Sequence, residues 1–86
     1  MKQVYLITTQ GNWDGDFNDV LVVSNLDKAK EIFKEVVGEA KEMYLENYDE
    51  TDLTIEENDA YCEIYITGEY NYYHHIISLQ SADIID

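Results

Sequence analysis

The chain is expected to fold as an α+β domain of order β-β-α-β-β, a four-stranded, largely antiparallel sheet with one long helix packed on one face. Three observations predict this. Two β-branched runs, QVYLITT and DVLVVS, flank the turn-rich stretch QGNWDGDFND. An apolar stripe at three- and four-residue spacing follows, from Leu26 to Tyr44. Two further runs, Ala60–Thr67 and Tyr72–Gln80, alternate in the manner of paired strands.

In the first strand, residues 3–9, Val4, Leu6 and Thr8 point one way while Tyr5, Ile7 and Thr9 point the other. Gly11, Asn12, Asp14, Gly15 and Asp16 are turn formers, so this strand and DVLVVS read as a hairpin with a long tip. Trp13 and Phe17 in that tip fit only by folding back on the core or by meeting a partner. Ser24-Asn25-Leu26-Asp27 carries a helix-start pattern, with Ser24 as the expected cap. Leu26, Ala29, Phe33, Val36, Val37, Ala40, Met43 and Tyr44 then make one stripe over about five turns, with the end expected near Asn47. Gly38 interrupts it at a cost of about 1 kcal/mol against alanine.

Residues 48–58 are highly charged and read as a loop holding at most a short strand at Leu53–Ile55. In Ala60–Thr67, Cys62, Ile64 and Ile66 form the inner face, and Tyr61, Glu63, Tyr65 and Thr67 the outer one. Gly68-Glu69-Tyr70-Asn71 is read as a turn, and Ile84-Ile85 as a short edge strand or a packed tail. A single helix covers one sheet face. The other would carry Tyr61, Tyr65 and several β-branched side chains, and an apolar face left open is a contact site.

The 86 residues read as one domain, 1–86. Hydrophobic content of 45% is too high for a disordered acidic tail, so a core is expected. The formal charge of −14 is unevenly spread. All five bases are lysines (Lys2, Lys28, Lys30, Lys34, Lys41) and lie in residues 1–41 beside seven acids. Residues 42–86 hold twelve acids and no base. That half repels nucleic acid and anionic membrane and attracts basic proteins or cations. The single cysteine, Cys62, permits no intrachain disulfide and fits a reducing compartment. Neither a signal-peptide core nor an apolar run long enough to span a membrane is found, so the reading is cytoplasmic.

No constellation reads as catalytic, and no cofactor is expected. Asp14, Asp16 and Asn18 have the opening spacing of a calcium loop, but Asp19 stands where that loop needs glycine and Asn25 where it needs glutamate. A solvated hairpin tip is the better reading. His74 and His75 are adjacent on a strand and point to opposite faces, which rules out one shared metal in the usual geometry. Cys62 can meet one of them across a hairpin, but no third group orients such a pair, and a cysteine among Ile64 and Ile66 is usually core. Tyrosine is abundant, with eight Tyr against two Phe and one Trp. Its rigid ring and hydroxyl suit binding surfaces, and arginine stacks on it; strands also simply favour it.

The pattern Lys2-x-Val4-Tyr5-Leu6-Ile7-Thr8, a second strand, then Ser24-x-x-x-Lys28-Ala29-Lys30 resembles the opening of small β-β-α proteins common in phages and other mobile elements. In size, acidity and lack of motifs the chain is also similar to phage-borne inhibitors, including anti-CRISPR and anti-restriction proteins. The likeness is one of character and carries no functional residue across. It implies a phage-encoded inhibitor acting inside the host cell.

The expected function is a non-enzymatic acidic binding protein that occupies the basic nucleic-acid-binding surface of a host defence protein. A CRISPR effector or a restriction enzyme would be such a partner. Nucleic acid itself and membrane are not expected partners. The partner-binding residues are expected to be Asp49, Glu50, Asp52, Glu56, Glu57, Asp59, Glu63 and Glu69, with Tyr61, Tyr65 and Tyr70 as anchors. The alternative is a small structural or regulatory homodimer that associates through the open sheet face, its acids serving solubility.

Overall fold

A computed structural model describes residues 2–12, 17–68 and 74–84. It is α+β, with one helix on a five-stranded antiparallel sheet. The strands are β1 (Lys2–Gly11), β2 (Phe17–Val23), β3 (Leu53–Asn58), β4 (Tyr61–Ile66) and β5 (His74–Ile84), and α1 spans Leu26–Asn47. The sheet order is β2-β1-β5-β4-β3, so β1 and β5 are central and β2 and β3 are the two edges.

The expected four strands become five because the charged stretch after the helix is a strand. A single 3-10 turn, Glu50–Asp52, leads into β3, which pairs with β4 from Leu53↔Ile66 to Asn58↔Tyr61. Leu53, Ile55 and Glu57 face the helix, while Thr54, Glu56 and Asn58 face away. Glutamates are tolerated there because β3 is an edge, where charge discourages further pairing. Asp59-Ala60 closes the β3–β4 hairpin, with the Ala60 amide donating to Asn58 Oδ1 at 2.9 Å. Of Ile84-Ile85, read as a short edge strand or a packed tail, Ile84 belongs to a strand of the sheet, and Ile85 lies outside the described residues. β5 runs on past β4 and pairs Ser81–Ile84 with Lys2–Tyr5 of β1.

Helix α1 begins one residue later than expected. Asn25, not Ser24, is the cap, its Oδ1 accepting from the Lys28 amide at 3.0 Å. Val23 is still held in the sheet opposite Tyr5, so Ser24 is needed for the bend. The helix starts beside β2 and ends, with the Tyr48 amide donating to Tyr44 O at 2.9 Å, at the turn into β3. It therefore crosses the sheet from one edge to the other. Ala29, Phe33, Val37, Ala40 and Tyr44 are buried against Ile7, Leu53, Cys62, Ile64 and Ile77. Leu26, expected in the stripe, is exposed at the β2 end.

Phe17 belongs to β2 rather than to the hairpin tip, and it does fold back. Its ring meets His75 edge-on at 5.0 Å between centroids, and His75 meets Tyr44 at 6.0 Å in the same manner. Trp13 and the calcium-type aspartates Asp14 and Asp16 lie outside the described residues.

Candidate partner-binding edge

The antiparallel register divides the sheet into two faces. Toward α1 point Ile7, Thr9, Cys62, Ile64, His75 and Ile77. Away from it point Leu6, Thr8, Tyr61, Glu63, Tyr65, His74, Ile76 and Ser78. Tyr61 and Tyr65 thus lie, half-buried, on the face without the helix. The Tyr61 hydroxyl donates to Glu63 Oε2 at 2.9 Å. Glu56 stands directly opposite Glu63 on that face. Like charges paired across strands destabilise a sheet, so this pair costs folding energy unless a cation meets it.

The other expected acids surround the same edge strand. Asp49, Glu50 and Asp52 are exposed at its start, and Asp59 is exposed in the hairpin turn at its end. At about 3.3 Å per residue, Asp52 and Asp59 are separated by about 23 Å. Glu57 lies on the helix side, where Lys41 forms an ion pair with it. The expected acids therefore border β3 on both faces and at both ends, not on one flat face. Glu69 and Tyr70 lie outside the described residues. Among the described residues, Lys41 supplies the single ion pair along this border.

The helix adds to the negative field. No base occupies its last turn, where the carbonyl end of the dipole favours cations. Glu46 sits there instead, with Asp49 and Glu50 just beyond the helix end. A cleft of about 460 Å³ lies beside the border, lined by Phe33, Val37, Gly38, Lys41, Glu57 and Asp59 among others. Sequence reasoning missed Lys41 and this cleft, because the Lys41–Glu57 contact spans 16 positions and depends on where the helix crosses.

Cys62 is fully buried, and burial foremost, then the Glu57 charge, pushes its thiol up to about 11. It pairs with Ile77 while His75 pairs with Ile64. Among the described residues no group of three or more His, Cys, Asp or Glu side chains is gathered to hold a metal. No helix of the described residues is long and apolar enough to cross a membrane.

His75 is buried, and neither ring nitrogen has a hydrogen-bond partner among the described residues. Burial first, and the neighbouring His74 second, hold its pKa below the usual 6.5. The folded state therefore keeps it neutral, while the unfolded chain takes up a proton below about pH 6.5. Its contribution to stability is complete above that pH and is lost as pH falls through it toward the lower folded value. Urea unfolding is expected to show stability declining from pH 7.5 to 5. His75→Phe is expected to flatten that decline, and an equally steep variant would show that other groups cause it.

Comparison with known proteins finds no matching family model, no similar curated protein and no similar solved structure.

Proposed function

We propose that the chain is a non-enzymatic binding protein whose β3 border presents carboxylates to a basic groove that otherwise receives nucleic-acid phosphates. In this reading it is a phage-type, anti-CRISPR-like inhibitor of a host defence protein, working in the cytoplasm of the host cell. The carrying observation is the border itself. Asp49, Glu50, Asp52, Glu56, Asp59 and Glu63 surround one edge strand with no base among them in sequence, beside the rings of Tyr61 and Tyr65. The Glu56–Glu63 pair supports it, since its cost in the free chain becomes a gain when an arginine or lysine inserts between the two. The rings then offer that cation a stacking surface.

The test is capture of basic nucleic-acid-binding proteins from a host lysate, followed by affinity measurement with the purified partner. Binding is expected to weaken tenfold or more on raising salt from about 50 to 200 mM, as phosphate-type contacts do. Replacing Asp52 and Asp59 by Asn and Glu56 and Glu57 by Gln is expected to weaken it by about ten- to a hundredfold. The fold should survive, since all four are exposed. Affinity indifferent to salt and to these substitutions would overturn the proposal.

Self-association through the open sheet face is the second reading. Val20, Val22 and Ile84, at 53, 64 and 40% exposure, lie on that face away from the acidic border.

A further inference from the structure

The two edges of the sheet are built differently. β3 carries Glu56 and Glu57 between Asp52 and Asp59, and charge of this kind keeps an edge from pairing with another strand. β2 is less protected, its one charge, Asp19, lying in its first half. Its second half is Val20-Leu21-Val22-Val23, with no charge, proline or glycine. Val20, Leu21 and Val22 are exposed to 53, 48 and 64%. The apolar exposure is on both faces of the strand, because Val20 and Val22 point away from the helix while Leu21 points to the helix side. Among the described residues nothing pairs with the outer side of β2.

We propose that β2 pairs antiparallel with β2 of a second copy of this chain, forming a continuous ten-stranded sheet. Charge selects a second copy as the occupant. Residues 17–34, which comprise β2 and the first nine residues of α1, hold three acids (Asp19, Asp27, Glu31) against three lysines (Lys28, Lys30, Lys34). This neutral region is the part of the chain where a molecule of net charge −14 can approach its own copy. In the joined sheet the two β3 borders lie nine strand spacings apart, about 43 Å. That is several times the screening length of about 8 Å at physiological salt.

The register follows from Asp19. Pairing centred on Val20 would set the two Asp19 side chains about 7 Å apart along the same face. Pairing centred on Leu21 moves them to about 13 Å. It also places Val20 of each copy opposite Val22 of the other, Leu21 opposite Leu21, and Asp19 opposite Val23. The four valines then form one apolar cluster on the face without the helix. The contact is two-fold and self-complementary, so it closes at a dimer, and the charged β3 edges stop further growth. This narrows self-association from a face to an edge, and it does not depend on the acidic border binding anything.

Sedimentation equilibrium of the intact chain at physiological salt tests it, with expected passage from 10.1 kDa to twice that mass as concentration rises. Leu21→Lys and Val22→Lys are each expected to weaken the dimer at least about tenfold, with unchanged circular dichroism because both side chains are exposed. Leu21→Cys should cross-link to its own copy on oxidation, since directly opposed residues have Cα atoms about 4.5–5.5 Å apart, within disulfide reach. Asp19→Cys should not. A wild-type chain that stays monomeric at high concentration overturns the proposal. So does a dimer that Val22→Lys breaks and Leu21→Lys leaves intact, which would mean packing through the open face. Open-ended polymers overturn the closed pairing. Loss of partner capture with the dimer retained would count against the acidic border alone.

Discussion

Tyr44→Ala is expected to cost about 3–5 kcal/mol, the range for deleting a large buried aromatic. Tyr44 is the largest fully buried side chain of the chain's described residues and has no exposed surface. Burial, helped by Tyr48, pushes its hydroxyl up to about 12, so it stays neutral at any ordinary pH. Its ring sits on the edge of His75, which in turn meets Phe17, so one line of rings joins α1, β5 and β2. Truncation opens a cavity where these elements meet. A domain of this size has only roughly 4–13 kcal/mol of stability, so the variant should be close to unfolding. Its melting temperature should fall by at least about 12 °C. Leu45→Ala, next to it on the helix and 46% exposed, should change stability by no more than about 0.5 kcal/mol. Equal effects of the two would mean that the helix does not pack as described.

Gly11→Ala is the second large effect, expected to cost about 2–3 kcal/mol and to lower the melting temperature by about 8–24 °C. A Cβ at Gly11 would lie 2.4 Å from the His74 carbonyl oxygen and 2.9 Å from Phe17 Cζ. The closer obstacle is backbone and cannot swing aside. It is also tethered, because the Asn12 amide donates to that same carbonyl at 3.2 Å while the His74 amide donates to Asn12 Oδ1 at 2.8 Å. Moving His74 to admit a methyl would loosen both bonds and disturb His75 beside it. Gly38→Ala makes the contrast. A Cβ there meets nothing within 4 Å, so the better helix propensity of alanine should raise stability by up to about 1 kcal/mol. Thermal melts of the two variants should move in opposite directions. A tolerated Gly11→Ala would show that β1 and β5 are not drawn together at this point.

How much of this was legible beforehand depended on whether local pattern and tertiary context agreed. The helix was legible because its stripe repeats over many turns, and only its start was decided elsewhere, by Val23 staying in the sheet. The two faces of β4 were legible because Cys62, Ile64 and Ile66 alternate cleanly with Tyr61, Glu63 and Tyr65. β3 was obscured because Glu57 breaks the alternation at an inward position, and a charged strand looks like a loop until its edge position is known. The run Val20–Val23 was legible as a strand but not in its position. It has the composition of a strand buried on both faces, yet it lies at an edge. The candidate site was legible as a stretch of acids but not as a shape, since only the β3–β4 register brings Glu56 opposite Glu63. Lys41 had no signal at all, because its partner depends on the angle at which the helix crosses.

The depth of Cys62 has a practical use. A thiol with no exposed surface and a raised pKa reacts with an alkylating reagent only after the chain opens. Because it is the single cysteine, its modification rate reports opening of the core with no added label. Under conditions where reclosing outpaces alkylation, that rate follows the equilibrium population of open molecules. The protein thus carries its own clock for core opening, readable by mass spectrometry in dilute solution or in a crude extract.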